Sequence, residues 1–182
     1  MKSALAGLAL VFLAVPALAQ TKSVSLAQIT VTPNASAYSA GQCLGGVLTL
    51  PGMIQPSGPG GTLMGAVTFV DPQNQGTTAD QVNILLFNKQ PTGTYTDHST
   101  CTLAAADAPN LVAILPIATA NCSSTGLSAT VCTLIPNMGV PVNGAMPIVS
   151  SNLWAIPVIN GTPNYGASAS LYFTFSATPF AF

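Results

Sequence analysis

The chain has no arginine and no glutamate, and its 182 residues carry only three lysines, four aspartates and one histidine. Without arginine, and at a formal net charge of -1, it lacks the basic surface that grips nucleic-acid phosphates, so nucleic acid is not expected as a partner. So few ionisable side chains also leave little from which to build acid–base chemistry. The expectation is a protein that is not an enzyme and uses no cofactor. Long apolar runs are missing beyond the first nineteen residues, because Pro, Gly or polar residues interrupt every later stretch. No membrane span is therefore expected in the rest of the chain. A sustained 3.6-residue stripe is absent too, and 15 prolines and 16 glycines recur too often for long helices. Only Ala104 to Pro109 has the composition of a helical turn.

What is present at the start is an export address. Met1-Lys2 give a short positive beginning, Ser3 to Val15 an apolar stretch, and Pro16-Ala17-Leu18-Ala19 a close of small residues at the A-x-A positions. This is the plan of a secretory signal peptide cut between Ala19 and Gln20, which predicts a secreted or cell-surface protein. Residues 20–182 then form one domain, since neither a repeat nor a linker divides them. With only Lys22 and Lys89 against Asp71, Asp80, Asp97 and Asp107, that domain has little charge to keep copies apart. Its exterior is either a neutral polar surface or one covered by neighbouring copies, and the expected partner is a homo-oligomer or polymer.

The periodicity of residues 20–182 is that of strands. Val24 to Val31 alternates with a change of parity, which suggests a bulge at Ala27-Gln28. Cys43 to Leu50, Leu63 to Val70, Val82 to Phe87, Val112 to Ile117, Leu127 to Ile135, Leu153 to Ile159 and Leu171 to Phe175 follow, separated by turn residues. Leu127, Ala129, Val131 and Ile135 fall on one face at period two, as do Leu171, Phe173 and Phe175. Pro51 to Gly61 reads as an exposed loop. About eight short strands without intervening helices predict an all-β domain, a single β-sandwich or jelly roll.

The four cysteines, Cys43, Cys101, Cys122 and Cys132, are an even number in a chain marked for export, which points to two disulfides. A metal site is disfavoured, because no two are two to four residues apart and the only histidine, His98, is not at ligand spacing. Of three pairings, Cys43 with Cys101 and Cys122 with Cys132 is preferred. A tight turn at Ser124-Thr125-Gly126 would leave Cys132 about 13 Å beyond reach of Cys122, whereas a wider loop centred on Leu127 would bring them together.

The run Tyr38-Ser39-Ala40-Gly41-Gln42-Cys43-Leu44-Gly45-Gly46-Val47-Leu48-Thr49-Leu50 resembles the opening of a family of tailed-bacteriophage virion proteins of the head-decoration or cement kind. The similarity continues in order through Val67 to Asp71, Ile84-Leu85-Leu86-Phe87-Asn88, Thr94-Tyr95-Thr96-Asp97-His98 and Ala106-Asp107-Ala108-Pro109-Asn110-Leu111. It closes with Asn152-Leu153-Trp154-Ala155 and Gly161-Thr162-Pro163-Asn164-Tyr165. The resemblance implies a small β-sandwich with a structural role and brings no catalytic residue with it. The export signal and the four cysteines depart from that family's pattern.

Candidate sites are sparse. Asp97-His98-Ser99 holds three residue types of a hydrolase triad, but neighbours on an extended chain point to opposite sides, so a turn is the preferred reading. Asp71-Pro72-Gln73-Asn74-Gln75-Gly76 to Asp80 offers oxygens that hard cations prefer. It lacks the spacing and closing Glu of a calcium loop, so an Asx turn at Asp71 is expected and no metal. Trp154 and Tyr165 could stack on a glycan if exposed, although Leu153, Ile156 and Val158 favour a buried Trp154. Val24, Leu26, Ile29 and Val31, with Phe180 and Phe182 at the other end, are the candidate assembly residues, able to join copies by strand addition. The leading expectation is an exported, non-enzymatic structural subunit that self-assembles. A donor-strand pilus subunit and a secreted carbohydrate-binding module are the alternatives.

Overall fold

The structure, a computed structural model, describes residues 25–53, 60–73, 81–123, 129–136, 138–142, 152–166 and 169–181. Among them lie strands β1 (Ser25–Val31), β2 (Leu48–Leu50), β3 (Gly60–Asp71), β4 (Val82–Phe87) and β5 (Leu111–Ile117). Then come β6 (Cys122–Ser123), β7 (Thr130–Leu134), β8 (Met138–Val142), β9 (Leu153–Ile159) and β10 (Leu171–Ala181). Among the described residues helix is confined to 3-10 turns at Ala108–Asn110 and Thr119–Asn121. The first of these overlaps the one segment whose composition suited a helical turn.

The strands form two antiparallel sheets, β1-β10-β3-β7-β6, with β8 also on β3, and β2-β9-β4-β5. Setting aside the short β6 and the β8 extension, the pairs are β1 with β10, β2 with β9, β3 with β7 and β4 with β5. First pairs with last, second with second-last, and so inward: one long hairpin wrapped over itself. That is a jelly roll. Between the sheets, alternate residues of each strand meet in a single core. Val31, Met64, Val67, Phe69, Leu171, Phe173 and Phe175 come from one side, and Leu50, Ile84, Leu86, Leu115 and Leu153 from the other.

Three details of register differ from the sequence reading. The β1–β10 pairing runs unbroken from Ser25↔Ala177 to Val31↔Leu171, so Ala27-Gln28 carries no bulge. Strict alternation buries Ala27 and Val31 and half-buries Ile29, and it leaves Leu26 on the outer face, 70% exposed. On β7 the inward face belongs to Thr130, Cys132 and Leu134, while Val131 is half-buried and Ile135, just past the strand, is 68% exposed. The reason lies on β3. Its inward Asp71, Phe69 and Val67 stand opposite Thr130, Cys132 and Leu134, and cross-strand partners share a face. A bulge lies instead on β3, where the register with β10 slips so that Ala66 faces Ser176 and Met64 faces Ala177. Gly65 is the extra residue. A Cβ there would come within 2.8 Å of Ser176 Oγ, and that hydroxyl accepts the Ala66 N–H at 2.7 Å. The expected loop Pro51 to Gly61 ends early, since β3 already begins at Gly60.

Candidate functional site

Strand β9, Leu-Trp-Ala-Ile-Pro-Val-Ile, is apolar along its whole length and is covered on both faces. Leu153, Ala155 and Ile159 enter the inter-sheet core. Trp154 and Ile156 point the other way and join Phe87, Tyr95 and Cys43, with Leu85, Val47, Cys101, Leu103, Leu111 and Val158 packed around them. Of the covering side chains, Cys43 and Val47 come from the segment before β2, and Tyr95, Cys101 and Leu103 from residues 88–110, the long connection between β4 and β5. This flap lies over the outer face of the four-stranded sheet, and the Asn88 N–H donating to the Asn110 carbonyl at 3.1 Å closes its base.

The inside of the flap is organised by one carboxylate. Buried Asp107 accepts the Thr92 N–H at 2.9 Å, the Thr92 hydroxyl at 3.0 Å, the Gly93 N–H at 2.9 Å and the Tyr95 hydroxyl at 2.7 Å. The Tyr95 oxygen in turn accepts the Ala104 N–H at 3.1 Å. These donors, the Thr92 N–H foremost, hold the Asp107 carboxyl down at about 2. Burial first, and then the bond to the carboxylate, push the Tyr95 phenol up.

The second Tyr–Asp pair repeats the device between the flap and the sandwich. Asn34 N–H donates to the Tyr38 hydroxyl at 2.8 Å, which donates to Asp97 Oδ1 at 2.7 Å, and Gly45 N–H donates to the same oxygen at 2.7 Å. Burial and the neighbouring carboxylate raise the Tyr38 phenol above the ordinary range. Gly45 and Gly46 have φ of +78° and +80°, a turn that L side chains rarely make. A Cβ on Gly45 would run into Val31, and one on Gly46 would sit 2.8 Å from the Tyr95 carbonyl. Next to Asp97, His98 takes φ +61°. Its N–H donates to Cys43 O, its carbonyl accepts Gln42 Nε2, and its ring Nε2 lies 3.0 Å from Ala37 O. A carbonyl only accepts, so Nε2 carries the proton.

Disulfides complete the fastening. Cys43 bonds Cys101, tying the flap to the segment beside β9, and Cys122 bonds Cys132 across β6 and β7. This is the pairing preferred from the sequence. Cys122 stands directly opposite Cys132 and Ser123 opposite Val131; Ser124-Thr125-Gly126 and Leu127, between which the sequence left the turn open, lie outside the described residues. From His98 a series of rings runs inward through Tyr38, Tyr165, Phe69 and Phe173 to Phe175, edge-to-face as far as Phe69 and then tilted and stacked, with neighbouring centroids 4.9–6.5 Å apart. It joins the loop cluster to the core.

The candidate residues fall into clear places. Asp97-His98-Ser99 is a turn, with Asp97 and His98 spent on holding loops together. Asp71 accepts the Gln73 N–H at 3.0 Å, the Asx turn expected of it; residues 74–80 lie outside the described residues. No cluster of three or more His, Cys, Asp or Glu occurs among the described residues. The glycan-stacking role is corrected: Tyr165 is fully buried and Trp154 is 7% exposed beneath the flap, so neither offers a ring face to a sugar. Of the candidate assembly residues, Val31 is buried, Ile29 half-buried and Leu26 exposed, all on β1 and paired to β10 of the same chain. Phe180 stands opposite Gly61 in the β10–β3 register. Val24 and Phe182 lie outside the described residues. The flap was missed because it has no period, although its Tyr, Asp and Cys were each visible.

Fold and fastening together define a disulfide-stapled jelly roll with a third, loop-built layer. No family model matches this chain, and a search of curated proteins found no significant relative. No helix among the described residues is long and apolar enough to cross a membrane.

Proposed function

We propose that this protein is an exported, non-enzymatic structural subunit that assembles with copies of itself on a cell or particle surface. The observation that carries this reading is how the scarce ionisable groups are used. Asp71, Asp97, Asp107 and His98 all make internal bonds to backbone groups, and the two flap aspartates also hold tyrosines. Groups committed to fixing loops are poorly placed to shuttle protons for a substrate. Two disulfides fit an oxidising compartment. The jelly roll is a fold used by capsid and lectin domains, an analogy of architecture only, and it agrees with the resemblance to phage decoration proteins. Assembly would use sheet edges. β1 closes one end of the larger sheet without a charged residue, a proline or a bulge, the usual devices that keep edges from pairing, and it shows Leu26 to solvent. The pilus alternative has less support, since β1 is already seated on its own chain's β10.

Sedimentation of the chain starting at Gln20 tests the reading. The expected result is species larger than a monomer, converted to monomer by Leu26→Lys while thermal stability stays within about 0.5 kcal/mol. A chain that remains monomeric at high concentration would overturn it.

A further inference from the structure

We propose that residues 88–110 are a redox-latched flap: reducing Cys43–Cys101 frees it from the outer face of the four-stranded sheet and bares the apolar surface around Trp154, while the jelly roll stays folded. The inference stands on the division of contacts and does not depend on self-assembly. The polar bonds that give the flap its shape are internal to it. Thr92, Gly93, Tyr95, Ala104 and Asp107 all belong to residues 88–110, and Asn88 and Asn110 close its base. It can therefore move as a unit. Its apolar cluster is distinct from the inter-sheet core, so separating the two leaves the core intact. Only one covalent bond between side chains joins the flap to the rest of the fold, Cys43–Cys101. The remaining polar ties gather along 96–101, on either side of that bond: His98 N–H to Cys43 O, Cys43 N–H to Ser99 O, Cys101 N–H to Gly41 O, Gln42 Nε2 to His98 O, His98 Nε2 to Ala37 O, and Asp97 to Tyr38 and Gly45. Losing the covalent tie loosens the neighbouring bonds, whose spacing it maintains.

The step is a thiol–disulfide exchange with a dithiol. One thiolate of the reductant attacks a sulfur of the Cys43–Cys101 bond, giving a mixed disulfide and one free cysteine. The second thiolate then displaces the other cysteine, leaving two cysteine thiols on the protein and an oxidised, cyclic reductant. Oxidation in the reverse direction closes the flap.

Hydrogen exchange read by mass spectrometry, with and without dithiothreitol, tests this on the folded protein. Reduction is expected to raise exchange in peptides covering 88–110 by about 30- to 1,000-fold, the factor that a typical disulfide carries. Peptides from β3 and β10 should stay protected. Emission of Trp154, the only tryptophan, should shift to the red and become open to acrylamide. A Cys122→Ser/Cys132→Ser chain, keeping only the latch, should respond in the same way. If that chain does not fold, alkylation of the partly reduced native protein identifies which bond has opened. Flap exchange that ignores reduction of Cys43–Cys101, or flap and core peptides that lose protection together, would overturn the proposal.

Discussion

Along β9 both faces of the four-stranded sheet are apolar and covered, yet they are held by different means. On the inner face Ile84, Leu86, Leu115 and Leu153, each placed by strand alternation, meet the facing sheet. On the outer face Phe87, Trp154 and Ile156 lie under a loop with no period, shaped by the Tyr95–Asp107 pair and tied down by one disulfide, the Tyr38–Asp97 pair and the backbone bonds beside them. The inner layer draws its stability from area removed from water, which many residues share. The outer layer depends on a few bonds, each with a definite partner. Damage should therefore spread across the whole molecule in the first case and stay local in the second.

The largest expected effect is in the inner layer. Phe173→Ala removes a fully buried ring that packs on Phe69 and Phe175. It should cost about 3–5 kcal/mol of global stability, as deletions of buried aromatics do. Urea unfolding followed by circular dichroism and by Trp154 fluorescence should shift together. If only the fluorescence transition moved, the two layers would not be organised as described.

How much of this was legible beforehand follows the same division. The spacing of Leu171, Phe173 and Phe175 puts them on one face, and they occupy it. The limits of β4 and β9 match their apolar runs. Parity failed at Ile135 and Val131, because β7 takes its facing from Phe69 and Val67 across the sheet, and a single strand carries no record of its partner. The change of parity in β1 was real, but it was resolved by exposing Leu26, without a bulge. Asp97 and His98 stand out in the sequence as possible chemistry, whereas Asp107 is one aspartate among four. Their actual partners, Tyr38, Tyr95 and the Gly45 and Thr92 amides, are up to 59 residues away in sequence. No local pattern marks such pairs.

Acid should affect the outer layer first. The Asp107 carboxyl sits at about 2 in the folded chain, against an ordinary value of 3.8. The folded state therefore binds this proton less readily than the unfolded chain does. Its stabilising contribution is complete above about pH 4 and is lost as pH falls through about 2. Below that window Thr92, Gly93 and Tyr95 face a neutral acid, a weaker acceptor. Hydrogen exchange of 88–110 should rise between pH 4 and pH 2 while β3 and β10 remain protected. Simultaneous loss of both would contradict the separation of layers.

The smallest expected effect is also the most selective. In Tyr95→Phe the ring still fills its place beside Trp154, so the apolar cluster is kept, and only the hydroxyl between Ala104 and Asp107 disappears. One hydrogen bond to a carboxylate and one from a backbone amide are lost together, a change of about 1–3 kcal/mol in the flap's local stability. Asp107 retains its Thr92 and Gly93 donors, so its carboxyl should move up by less than the whole distance to 3.8, and the acid transition should shift upward with it. The comparison of the two layers then makes a sharper demand. Exchange within 88–110 should quicken and its acid midpoint should rise, while the urea midpoint of the jelly roll, read at β3 and β10, stays where it was. A substitution that weakened both layers equally would mean that the flap is part of the core's own cooperative unit.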